Sequence, residues 1–168
     1  MAGFSIDDFR ANFQAGYRPY LFYIYINNPV SSIGMDKTAY LVSSTSLPGS
    51  TITPVETPWQ GMNYKFGSVQ TFDDWTCTFR VDAAAQLRKD LKAWQNLIHD
   101  PATNVSGVPS DYFADQTLVL LDNNGDDILT MTLVGAWPTS VGEIALDYGS
   151  TDVATLDCTF SFQRTIEN

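Results

Sequence analysis

The chain has 168 residues, 44% of them hydrophobic and 17% charged, and a formal net charge of -10. That size suits one domain with a real core, that balance excludes bulk disorder, and no run approaches the roughly 18 apolar residues a membrane-spanning helix needs. Residues 1–99 hold eight acids and eight bases, whereas residues 100–168 hold eleven acids against Arg164 alone, so the second part cannot bind nucleic acid by neutralising phosphates.

Residues 1–10 (MAGFSIDDFR) have neither the basic flank nor the apolar core of a secretory signal, so the expectation is a protein folded in a cytoplasm. A short helix opens at Ser5, the N-cap, with Asp8 three residues on as a weaker capping-box partner. Ile6, Phe9 and Phe13 form its apolar stripe, and Gly16 stops it. Pro19 then forces extended backbone into the strand-sized run 20–26 (YLFYIYI). That run is apolar on both faces: one side covers the core, the other meets the terminal helix or a second subunit.

Residues 27–35 read as a turn-rich connection and 37–45 as a returning strand. The stretch 47–58 holds three prolines, which remove ladder donors and predict an edge strand or extended arm over about 47–66. Trp59, Met62, Tyr64 and Phe66 follow with no helical stripe. Together with Leu47 and Pro48 they are candidate interface anchors in an assembly. The competing reading folds this arm back over its own core.

Residues 71–99 join a strand to a helix. Trp75, Cys77, Phe79 and Val81 alternate with Asp74, Thr76, Thr78 and Arg80, giving one dry and one wet face. Leu87, Leu91, Trp94 and Ile98, widened by Ala84 and Leu97, then make a helical stripe, while Arg88, Lys89, Lys92, Gln95 and Asn96 face away. Asp82 is the predicted N-cap, worth roughly 1 kcal/mol. His99, the single histidine, is expected to complement the last helix carbonyls, and Pro101 stops the helix.

Residues 101–115 form a polar loop whose Asn104-Val-Ser106 sequon is accidental in a chain without a signal. Residues 116–121 and 128–134 predict a β-hairpin, with Asn124-Gly125 supplying the positive φ angles of its turn. A calcium loop begun at Asp122 would need Gly at 127 and Glu at 133, where the chain has Asp127 and Leu133. Residues 135–142 break the strand, and 143–148 resume it with Ile144, Leu146 and Tyr148 in phase. After a turn at 149–152, Leu156, Cys158, Phe160 and Phe162 alternate in the last strand. The fold class is therefore mainly β: a single-domain β-barrel or sandwich with one packed amphipathic helix and a short N-terminal helix.

No nucleophile–base set, P-loop or metal spacing is present in the sequence, so an enzyme is not expected, nor a metal or cofactor. Asp73 and Asp74, adjacent on a strand, point to opposite faces and cannot share a substrate. Cys77 and Cys158 both sit in apolar phase and read as small buried hydrophobes. The wet strand faces are rich in Asp74, Thr76, Thr78, Thr130, Thr132, Asp147, Asp157 and Thr159, almost without Lys. Such edges look unprotected, and closing several copies into a ring would remove them.

Residues 44–48 (STSLP), 61–63 (GMN), 71–76 (TFDDWT) and 135–148 (GAWPTSVGEIALDY) fall in the order and spacing seen in the T-even-type tail tube proteins of contractile-tailed bacteriophages. Residues 5–21 are similar to that family's opening helix, and the resemblance covers nearly the whole chain. It implies a β-barrel-like protomer forming hexameric rings that stack into a hollow tube. A sheath would surround it, baseplate and tail terminator proteins would cap it, and DNA would pass through without specific binding. The expected location is the virion tail, assembled in the host cytoplasm. Asp74, Thr76, Thr78, Asp147 and Asp157 become candidates for the lumen. Arg88, Lys89 and Lys92 become candidates for meeting an acidic neighbour or the sheath. The loops at 27–35 and 101–115 depart from the family pattern. The rival readings are a tube-initiating paralog at the baseplate junction, a secretion-system tube protein, and a monomeric calcium- or ligand-binding β-barrel.

Overall fold

The computed structural model describes residues 5–13, 16–30 and 34–168. The predicted turn-rich connection thus lies partly outside the described residues. Helix α1 (Ile6–Phe13) is closed by its capping box: the Asp8 amide donates to Ser5 Oγ at 3.0 Å and Ser5 Oγ donates to Asp8 Oδ2 at 2.8 Å. Gly16, at φ 64, ends the turn with its amide on Phe13 O at 3.0 Å. Phe9 and Phe13 stack at 5.0 Å between centroids, yet the whole stripe Ile6, Phe9, Phe13 is exposed.

Strand β1 (Phe22–Tyr25) follows, with Ile24 and Ile26 buried. The strand expected over 37–45 is instead helix α2 (Met35–Leu41) running straight into β2 (Val42–Thr45). Thr38 and Val42 face inward four residues apart, Thr38 Oγ1 accepts the Ile26 amide at 3.3 Å, and Tyr40 points out. Thr38, Tyr40 and Val42 mimic period two, but only the first and last are buried.

Strands β3 (Ser50–Trp59) and β4 (Met62–Phe72) make a two-stranded sheet of their own. Gln60 (φ 46) and Gly61 (φ 84) supply the left-handed pair a tight turn requires. The ladder shifts register between Ile52 and Pro54, so the proline falls at an irregularity where a missing donor is tolerated.

The chain breaks at Asp73 and Asp74 before β5 (Trp75–Arg80), which splits the strand expected from residue 71. Helix α3 (Gln86–Ile98) starts later than predicted. Its N-cap position is Ala85, left-handed at φ 49 with no side-chain cap, while Asp82 Oδ1 reaches forward to accept the Leu87 amide at 3.4 Å. Ala84 consequently lies before the helix and is exposed, whereas Leu87, Leu91 and Trp94 are buried. Asp90 is buried as well, which the sequence reading missed; Gln86 Nε2 donates to its Oδ1 at 2.9 Å.

Strands β6 (His99–Asp100) and β7 (Val105–Ser106) pair, and His99 Nδ1 lies 3.2 Å from Ser106 Oγ instead of on the helix carbonyls. Helix α4 (Pro109–Tyr112) leads to β8 (Ala114–Leu121) and β9 (Asp127–Val141), the predicted hairpin. In its turn Gly125 alone has positive φ. Asp122 Oδ1 accepts the Asn124 and Asp126 amides, which hold its carboxyl below the ordinary value.

β9 does not break at Gly135. Gly135 adopts φ 64 where one residue of β9 is extra against β8, so the buried phase slips from Met131 and Leu133 to Ala136 and Pro138. One side of β9 pairs β8. The other side pairs β10 (Thr155–Ser161) near its end and β11 (Arg164–Glu167) near its start. The strand expected to be last therefore has a continuation. The sheet order is β1-β8-β9-β10-β5-β2, with β11 also on β9. Residues 143–148, expected to resume as a strand, pair with nothing.

The core gathers Trp75, Cys77, Phe79, Leu91, Trp94, Leu133, Leu156 and Phe160, all at 0–1% exposure. Trp94 and Trp75 flank Phe160 at 6.0 and 5.5 Å, and their indole N–H groups donate to Tyr112 O at 2.8 Å and Ser46 O at 3.0 Å. Each such buried side chain contributes roughly 1.5–3 kcal/mol, and satisfying the indole keeps that gain.

Candidate assembly surfaces

The β3–β4 ribbon is amphipathic. Its register sets Trp59 opposite Met62, Thr57 opposite Tyr64 and Val55 opposite Phe66. Side chains two residues apart share a face, so these six form one continuous and largely apolar surface. The other face carries Glu56, which takes Lys65 Nζ at 2.7 Å and Asn63 Nδ2 at 3.1 Å. Every residue of the ribbon but Phe72 is exposed, including Trp59 at 70% and Met62 at 77%. The structure thus brings Trp59, Met62, Tyr64 and Phe66 together. Leu47 and Pro48 lie before the ribbon and outside this face. Val55 and Thr57 complete it; pairing outward from Gln60-Gly61 is the signal that would have found them.

A second surface lies on the solvent side of β5 and β10. Thr78 Oγ1 donates to Asp157 Oδ1 at 2.6 Å, and the hydroxyls of Thr76 and Thr159 meet at 3.3 Å. Asp74 is exposed in the break just before β5. Asp147 is not with them: it sits in the unpaired segment after β9, where its carboxylate takes the Gly149 amide at 2.9 Å.

On α3 the three bases differ. Arg88 is half-buried and donates to Gly142 O at 2.6 Å, so it ties the helix to the end of β9. Lys89 and Lys92 are exposed, with Lys92 Nζ on Gln95 Oε1 at 2.9 Å.

A fully packed core beside a broad apolar ribbon left open to water marks an interaction surface, the property of a structural binding protein. The chain belongs to the phage tail tube protein family, whose profile matches residues 8–168. It is 28% identical to the tail tube protein of Serratia phage KSP90 over 158 residues, covering 90% of this chain and 89% of that one. It is 27% identical to tail tube protein gp19 of Enterobacteria phage T4 over 164 residues, covering 93% and 96%. Its fold is similar to a chain of the PVC sheath-tube complex of an extracellular contractile injection system in the extended state, with TM-score 0.61, 19% identity and 99% of each chain covered. The resemblance carried by TFDDWT and WPTSVGE is borne out. The protein is a structural component of the virion tail, not an enzyme.

Proposed function

We propose that this protein is the repeating subunit of the tail tube of a contractile tail, with hexameric rings stacked into a conduit for DNA. The observation that carries the reading is the exposed apolar face of the β3–β4 ribbon. A two-stranded ribbon is marginal alone, so a face of this composition requires a cover. Stacked rings supply one, with Trp59 as the anchor reaching the neighbouring ring. The hydroxyl and carboxylate face of β5 and β10 lines the lumen. There DNA, with one charge per roughly 1.7 Å of axis, finds carboxylates and hydroxyls, with Arg80 at the end of β5 the cation on this face, and repulsion acts over about 10 Å at 0.1 M salt. Lys89 and Lys92 are the cations of α3 free to meet a sheath. A sheath as partner is in keeping with the similar chain's presence in a sheath-tube complex. Tail terminator and baseplate proteins close the two ends.

Electron microscopy of the purified protein tests this. Rings or open-centred tubes are the expected result, and a uniform monomer population at high concentration overturns it.

A further inference from the structure

Among the described residues, one strand-patterned segment has no strand partner and, elsewhere, a groove lies open between two sheet ends. The segment is 143–148, between β9 and β10. It is pinned at its root, where the Gly142 amide donates to Asp157 O at 2.7 Å and Gly142 O accepts Arg88 Nη1. It is pinned again beyond its far end, where Ala154 O accepts the Val81 amide at 2.9 Å. Between these points Ile144, Leu146 and Tyr148 keep strict period two. Ile144 leans on the core, but Leu146 is 90% exposed and Tyr148 wholly so, beside Asp147.

The groove lies where the curled sheet fails to close. Its order ends at β1 on one side and β2 on the other, and both ends pair with one neighbour only. Phe22 of β1 and Val42, Ser43 and Ser44 of β2 line a space of about 480 Å³, with Tyr20 and Arg80 at its sides. Among the described residues no acidic one lines it, and Arg80 Nη1 reaches Val42 O at a long 3.5 Å.

We infer that residues 143–148 of one copy add as a strand to the β1–β2 groove of the next copy. This rests on the tube reading and names the surfaces that join neighbours. Three features match. The groove offers a four-residue strand edge, about 13 Å, and residues 144–147, which precede the turn at Tyr148–Gly149, would span about the same length once extended. The groove mixes aromatic and aliphatic walls, and the segment presents Leu146 and Tyr148. The groove is basic through Arg80, and the segment is acidic through Glu143 and Asp147. Pairing covers the exposed edge of β2.

Cysteine pairs test the contact in the full chain. Ala145→Cys is combined with Ser43→Cys or with Ser44→Cys, and with Lys92→Cys on α3 as the control. Assembled particles are verified by electron microscopy, oxidised mildly, and run on a denaturing gel without reductant. The expected result is a ladder of covalent multimers for at least one groove pair and none for the control. Intact tubes without that ladder, or an internal disulfide running as monomer, overturn strand addition and leave the tube reading standing. A wild-type protein that never assembles overturns both. Should the cysteine variants alone fail to assemble, charge exchange decides. Arg80→Asp is expected to abolish assembly, and adding Asp147→Arg to restore it; a double variant no better than the single overturns the pairing.

Discussion

Cys77 of β5 and Cys158 of β10 stand directly opposite each other, both completely buried, and remain thiols. The ladder explains why they do not bond. The Val81 amide donates to Ala154 O four residues along the same register, and hydrogen-bonded pairs recur every second residue. Cys77 and Cys158 therefore occupy a hydrogen-bonded position, where opposite Cα atoms are about 5.5 Å apart and the side chains are held wider than the roughly 3.8 Å Cβ separation of a disulfide.

Both thiols are expected to be silent. Burial pushes Cys77 up to about 12, and Cys158 upward as well with its neighbour adding to the rise. A thiol reagent at pH 8 should label neither in the native protein and both once urea is added. Rapid labelling of the folded chain, or a mass shift on reduction, would show a different register.

Gly135 is the residue that lets β9 change phase between its pairing with β11 and its pairing with β10. With φ 64 and a would-be Cβ 3.1 Å from Gln163 Cγ, Gly135→Ala is expected to lose about 1–2 kcal/mol, seen as a lower urea midpoint. Gly135→Asn, which tolerates the left-handed region better, should lose less.

Trp59→Ala should leave the protomer's unfolding midpoint nearly unchanged, because Trp59 is 70% exposed and outside the core. Tube growth, followed by light scattering, should slow by at least tenfold, as expected for a buried aromatic anchor worth 2 kcal/mol or more, an order-of-magnitude figure. Normal tube lengths would remove the ribbon from the inter-ring contact.

Asp157→Lys replaces an acid on the proposed wall with a base and disrupts only one exposed side-chain hydrogen bond, that with Thr78. Assembled variant tubes should retain DNA at low salt, measured by anisotropy, and release it progressively between roughly 50 and 200 mM. Wild-type tubes should retain none at either. Equal behaviour of the two would place this face away from the lumen.

What could be read from the sequence was what local chemistry decides. The Ser5–Asp8 box, the alternation through Trp75, Cys77 and Phe79, and the stripe Leu87, Leu91, Trp94 all appear in the fold, because each pattern is set within one element. The failures share a cause in pairing. Residues 37–45 read as a strand, but tertiary contacts bury residues 38 and 42 at helical spacing. Gly135 looked like a break because a one-residue bulge reverses the phase on either side of it. Ile144, Leu146 and Tyr148 keep a strand's rhythm that no neighbour within the protomer answers. The aromatic face of the ribbon was half legible: Trp59, Met62, Tyr64 and Phe66 stood out by bulk, whereas Val55 and Thr57 join only once the register is known.

The β5–β10 face has one more property, and it concerns hydrogens instead of charge. Its hydroxyl protons are mostly spent inside the protomer: Thr78 on Asp157, Thr139 on Thr159 O at 3.0 Å, and one of the Thr76–Thr159 pair on the other. Arg80 at the strand end apart, what remains turned outward is chiefly lone pairs, on carboxylates and on hydroxyls already committed as donors. Phosphate oxygens are acceptors too. Two acceptor-rich surfaces have almost nothing to exchange, so the face would stay non-adhesive to a phosphate backbone even where salt has screened its charge.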